Sequence, residues 1–124
     1  MSASTNISTA AHEGKLFIVR QIVQAEPSAV NSKDEDDRIP LHWAASGGHL
    51  DITEYLLQNG SKVDAVDDSG WSPLLIAVSA GHSSIVEALI EAKAEVNLQN
   101  EDGQTALHYA ASKNRIEVSL ASTI

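Results

Sequence analysis

The sequence has no cysteine, so disulfide frameworks and Cys-based zinc sites are excluded. Aromatic residues make up 4% of the chain, so any core must be built from Leu, Ile, Val and Ala. No apolar run approaches the roughly 18 residues that a membrane span needs. The opening Met1-Ser2-Ala3-Ser4-Thr5-Asn6 lacks the basic segment and apolar block of a secretory leader. A soluble protein of the cytoplasm is expected, with the nucleus as a second location, and Asn6-Ile7-Ser8 is then an idle glycosylation pattern. Basic side chains are also scarce: the net charge is −9. Nucleic-acid binding needs a basic stripe that releases counterions, so it is not expected. A basic protein surface would instead be steered toward the chain. The chain carries no Gly-x-Ser-x-Gly, phosphate loop, paired-histidine zinc motif or Gly-rich nucleotide turn. Neither catalysis nor a cofactor is expected.

What the sequence does have is a period. Leu41, Leu74 and Leu107 recur at one interval, as do Ala44, Ala77 and Ala110, and Ile52, Ile85 and Val118. A fixed spacing of this size marks stacked repeats. Residues 71–103 show the unit most clearly. Ser72 and Pro73 form a helix-start signal, a hydroxyl to cap orphan N–H groups followed by proline at the first helical position. The first helix is expected over 73–80, ended by Gly81. A second is expected over 83–91, where Ile85, Val86, Leu89 and Ile90 fall at helical spacing. A polar hairpin-like tip follows, closing on Asp102-Gly103. In the preceding unit Asp37 stands where Gly70 and Gly103 stand, and aspartate tolerates the left-handed region better than most residues.

The repeats are placed at about 5–37, 38–70 and 71–103, with a partial unit at 104–124, in one domain spanning 1–124. The first unit aligns at an offset one residue longer, with Ile7, Ala10, Gly14, Ile18, Ile22 and Val23 on Leu41, Ala44, Gly48, Ile52, Leu56 and Leu57. It lacks the Ser-Pro start, as a terminal repeat can. The last unit opens well at Thr105-Ala106-Leu107-His108, but Ser119, Ser122 and Thr123 replace its second-helix apolar positions. It reads as a shortened unit rather than a purpose-built cap. Stacking should join Leu41, Leu74 and Leu107 into a ladder, each burial contributing about 1.5–3 kcal/mol. With three repeats and a fraction, marginal stability is expected.

Ile39-Pro40-Leu41-His42-Trp43-Ala44, Ser72-Pro73-Leu74-Leu75-Ile76-Ala77 and Thr105-Ala106-Leu107-His108-Tyr109-Ala110 resemble the Thr-Pro-Leu-His-x-Ala signature of the ankyrin-repeat family. The resemblance implies an all-α solenoid of helix-turn-helix pairs with hairpin-like tips, and a protein-binding role. Trp43, Trp71 and the run Ala111-Ser112-Lys113-Asn114-Arg115 are similar to a narrower group within it, the gankyrin-like assembly chaperones of the proteasome regulatory particle. That likeness covers roughly residues 38–118. It implies a monomer whose concave face grips the C-terminal domain of a proteasomal ATPase subunit, with no nucleic acid and no membrane involved. The alternative is an adaptor for an unrelated protein. The likeness implies contacts from Arg38, Trp43, Trp71 and Lys113, with Arg38 and Lys113 facing acidic groups on the partner. The tip acids Asp36, Asp68 and Glu101 would face basic ones. Family members carry about twice as many repeats. Their retinoblastoma-binding motif needs a cysteine and does not carry over.

Several features admit both a structural and a functional reading. His42 and His108 occupy a framework slot on different repeats, which favours structural hydrogen bonding over metal ligation. Asp34-Glu35-Asp36-Asp37 lacks the spaced ligands of a calcium loop and reads as a solvated tip. The tip acids should form a row about 10 Å apart, the helix-packing distance. Trp71 follows the tip glycine outside the apolar ladder, so it reads as an exposed interface residue, whereas for Trp43 core and interface stay equally open.

Overall fold

The computed structural model describes residues 6–113, and among them every regular element is helical. Seven α-helices follow in order: α1 (Ile7–Glu13), α2 (Leu16–Ala25), α3 (Pro40–Gly47), α4 (Leu50–Gln58), α5 (Pro73–Ala80), α6 (Ser83–Glu91) and α7 (Ala106–Lys113). They lie in two layers. The first helices stack as α1 on α3, α3 on α5 and α5 on α7, and the second helices as α2 on α4 and α4 on α6. This is the stack that the period marked and the all-α solenoid that the family resemblance implied.

The local signals set the helix ends. Ser72 Oγ accepts from the Leu75 N–H at 3.2 Å, and Gly81 closes α5 in the left-handed region at φ 82°. α6 begins at Ser83 and ends at Glu91, as the spacing predicts. Where the middle unit uses a hydroxyl, the flanking units use histidine: Nδ1 of His42 accepts from the Ile39 N–H, and Nδ1 of His108 from the Thr105 N–H. The first helix has a start signal that is not Ser-Pro. Asn6 caps α1 by accepting from the Thr9 N–H at 2.8 Å. The extra residue of the first unit falls where the chain winds into a 3-10 helix, Pro27–Asn31.

Leu41, Leu74, Ile52, Leu56, Ile85 and Leu89 are fully buried in one continuous core. The ladder weakens at both ends. Leu107 keeps 40% of its surface, because α7 packs on α5 on one side and meets no described helix on the other. In α2, Ile18 and Ile22 are only half-buried, and Val19 and Val23 carry the packing. The expectations for Val118, Ser119, Ser122 and Thr123, and for a shortened last unit, lie outside the described residues.

Adjacent units are also pinned by histidine at the turn. Nε2 of His82 lies 3.3 Å from the Ser46 carbonyl oxygen, and its ring sits against Gly48. A β-carbon on Gly48 would come within 2.8 Å of that ring, at a φ of 78°. Glycine is therefore needed there twice over, for the backbone angle and for the close approach.

Candidate functional site

The surface that distinguishes this stack is its row of tips. Residues 34–38, 67–71 and 100–104 close in one pattern. The first residue's N–H donates to the carbonyl of the fifth (Asp34 to Arg38, Asp67 to Trp71, Asn100 to Gln104), and the fourth donates back to the first. The fourth residue has positive φ each time: 62° at Asp37, 81° at Gly70, 74° at Gly103. Aspartate thus holds the left-handed corner in the first tip, as its chemistry allows.

Each tip is organised by the side chain of its first residue. Asp34 Oδ1 accepts from the N–H of Asp36 (2.9 Å) and of Arg38 (3.0 Å). Asp67 Oδ1 accepts from Ser69 and Trp71 (both 2.9 Å). Asn100 Oδ1 accepts from Asp102 (2.9 Å) and Gln104 (3.0 Å). The remaining polar atom locks the tip to something beyond it. Trp43 Nε1–H donates to Asp34 Oδ2 at 2.7 Å, and Asn100 Nδ2 donates to the Tyr109 hydroxyl at 3.1 Å. In the middle unit the equivalent position is the apolar Ile76, and Asp67 Oδ2 is taken by Arg38 Nε from the preceding tip at 2.9 Å. The Arg38 guanidinium also lies 4.9 Å over the Trp43 ring, within cation–π reach. Sequence reasoning missed Asp34, Asp67 and Asn100 as a set. Their 33-residue spacing was the available signal, obscured by the change to asparagine and by the exposed acids beside them.

These contacts set the charges. Partial burial pushes the Asp34 carboxyl up, but the N–H donors of Arg38, Trp43 and Asp36 and the Arg38 charge together outweigh it and hold it below the ordinary value. Asp67 is likewise pushed up by burial and then held low by the Trp71 N–H, the Arg38 side chain and the Ser69 N–H. Burial pushes His42 down, against the opposing pull of the Trp71 carbonyl and the Asp67 charge. Because Nδ1 of His42 accepts from Ile39, Nε2 carries the proton and donates to the Trp71 carbonyl at 2.9 Å. His42 is a structural hydrogen-bonding residue that joins one unit to the next.

Several sequence expectations change here. Arg38 is already engaged within the chain, its Nε on Asp67 and its guanidinium over the Trp43 ring. Trp71 is not an exposed tryptophan: it is half-buried against the core, with its ring 5.1 Å from that of Tyr109. Trp43 is both core and surface, packed against the core and edge-on to His12 at 5.3 Å. Neighbouring tips are tied to one another by backbone hydrogen bonds. Asp68 N–H donates to the Asp36 carbonyl at 3.0 Å, and Glu101 N–H to the Ser69 carbonyl at 3.2 Å. This brings Asp36, Asp68 and Glu101, all exposed, into a connected acidic row. Asp34 belongs to the frame of its tip and is not simply solvated. Lys113 is the last residue of α7, and its side chain lies outside the described residues.

At the open end of the row lies a groove of about 610 Å³ between the start of α1 and the first tip, lined by Ile7, Thr9, His12, Lys33, Glu35 and Trp43 among others. Among the described residues no cluster of three or more His, Cys, Asp or Glu side chains is arranged to hold a metal ion.

Comparison with known proteins agrees with this architecture. A family model described as Ankyrin repeats (3 copies) matches residues 7–100 and 61–121. The chain is 48% identical over 53 residues to the human protein named 26S proteasome non-ATPase regulatory subunit 10, covering 43% of this chain and 24% of that one. It is 39% identical over 51 residues to a Saccharomyces cerevisiae protein named Probable 26S proteasome regulatory subunit p28, covering 41% and 22%. It is 43% identical over 54 residues to human Ankyrin repeat domain-containing protein 49, covering 44% and 23%. The matches span about a quarter of the length of these curated relatives.

Proposed function

The chain belongs to the ankyrin-repeat family, and on that footing we propose that it is a non-catalytic binding module for the C-terminal domain of a proteasomal ATPase subunit, acting as an assembly chaperone. Ankyrin repeats bind proteins. The finer reading is supported by the likeness to relatives named as proteasome regulatory subunits in human and yeast. On this reading the partner lies along the first helices and tips, and the molecule acts as one monomeric stack. Asp36, Asp68 and Glu101 supply a charged row, and Trp43, Trp71 and Lys113 extend the contact surface. Arg38 takes part by holding Trp43 in place. Electrostatic matching of this kind sets orientation and on-rate more than raw affinity.

Capture of purified proteasomal ATPase C-terminal domains by the full chain tests this. The wild type is expected to retain one of them. The triple variant Asp36→Asn, Asp68→Asn, Glu101→Gln, which leaves the tip-organising side chains alone, is expected to retain it more weakly and with less salt dependence. No capture, or capture indifferent to the triple variant and to salt, would reject the proposal. A second reading, an adaptor for an unrelated protein, is favoured by the likeness to Ankyrin repeat domain-containing protein 49. Recovery of a different specific partner and no ATPase would support it.

A further inference from the structure

We propose that the groove between α1 and the first tip is a docking site for a basic, extended peptide segment, with Trp43 as its aromatic wall and Glu35 and Asp36 as its charge partners. This deepens the protein-binding reading above and rests on it. The groove has a fixed wall. Trp43 lines it and cannot swing freely, because its indole N–H is bonded to Asp34, Arg38 stacks over its ring and His12 meets its edge. A side chain so held presents contact area without losing rotamer freedom on binding. The groove also has unspent charge. Glu35 and Asp36 are exposed, and among the described residues their carboxylates take part in no hydrogen bond or ion pair. Asp34 is different, since its two oxygens already accept three hydrogen bonds.

Charge decides the occupant. Among the described residues the lining holds Asp34, Glu35 and Asp36 against one Lys or Arg, Lys33, in a chain of net charge −9. Arg38, whose guanidinium lies over the Trp43 ring, is bound to Asp67 and acts on Asp34, which leaves Glu35 and Asp36 as the acids of the rim without an ion-pair partner among the described residues. Acidic or phosphorylated segments would be repelled. A segment carrying Lys or Arg would be drawn in and could lay its aliphatic stems along Trp43 and Ile7. At about 610 Å³ the groove has the size of a site for a few side chains rather than a whole domain.

The test titrates the full chain carrying Trp71→Phe with a short Lys- and Arg-rich peptide, a matched Glu-rich peptide and a matched uncharged one. Trp43 is then the only tryptophan, so its emission reports the groove. A saturable change with the basic peptide alone is expected. It should weaken about fivefold in the Glu35→Gln, Asp36→Asn background, as the loss of two exposed charge partners implies, and fade as salt rises. If Trp71→Phe does not fold, calorimetry on the wild-type chain with the same peptides gives the same reading. An absent response, equal binding of the uncharged or Glu-rich peptide, or indifference to the double substitution would overturn the proposal. Basic-peptide binding without capture of any ATPase domain would remove the proteasome reading and leave the groove standing. ATPase capture with no basic-peptide response would do the reverse.

Discussion

The tips at Asp34 and Asp67 share a backbone pattern and differ in what the second carboxylate oxygen holds. Asp34 ties its tip inward, to Trp43 of the helix that follows it. Asp67 ties its tip backward, to Arg38 of the preceding tip. One is a local lock and the other a staple between neighbouring tips. The difference teaches that a repeat protein can keep one frame at every tip and use the leftover valence differently. The substitution of Ile76 for an aromatic residue is what leaves Asp67 Oδ2 available for Arg38.

The largest expected effect comes from removing both frames in turn. Asp67→Ala should cost about 3 kcal/mol, because it strips two backbone caps and leaves Arg38 without its buried partner. Asp34→Ala should cost about 1.5 kcal/mol, since it breaks hydrogen bonds in a half-exposed loop and no direct ion pair. Urea denaturation measures both, and equal losses would erase the distinction. Next, Asp67→Asn should keep the caps and lose the ion pair, at about 1–2 kcal/mol, with Arg38→Met adding on top of it only the loss of the Trp43 ring contact. Additive losses in that cycle would mean that the pair contributes nothing.

Acid separates the tips further. Asp34 and Asp67 both have folded values below the reference of 3.8. Their contribution is therefore complete above that reference and drains as pH falls through the lower folded values. Asp67→Asn should flatten part of this acid limb. His42 acts in a higher window. Its folded value lies below the reference of 6.5, so the unfolded chain takes up the proton first and stability declines as pH falls below that reference. Denaturation midpoints of wild type and His42→Asn across this range check it, with a flatter profile expected for the variant. The smallest effect should come from Asn100→Asp, at about 0.5 kcal/mol. The Tyr109 hydroxyl can turn from acceptor to donor and keep the lock.

Much of the scaffold was legible because helix ends are decided within a few residues. Ser72 caps Leu75, Gly81 adopts the left-handed angle and Asp37 substitutes for glycine, each for reasons internal to its own turn. The candidate surface was harder to read. Trp71 looked exposed because its covering ring, Tyr109, is far along the chain. Arg38 looked available because Asp67, which takes its Nε, is 29 residues along the chain and is brought to it only by the fold. Asp36, Asp68 and Glu101 were found as exposed acids, but the hydrogen bonds that tie neighbouring tips together were not.

The sequence alone determined the period, the paired helices and their stops, since capping, proline placement and apolar spacing act over one or two turns of chain. Only the tertiary structure decided which charges are spoken for. Arg38 meets Asp67 across 29 residues of chain, and His42 reaches the Trp71 carbonyl across the same distance. Such pairings depend on how far one unit is rotated and shifted against the next, a quantity set by packing of the whole stack and not by any single repeat.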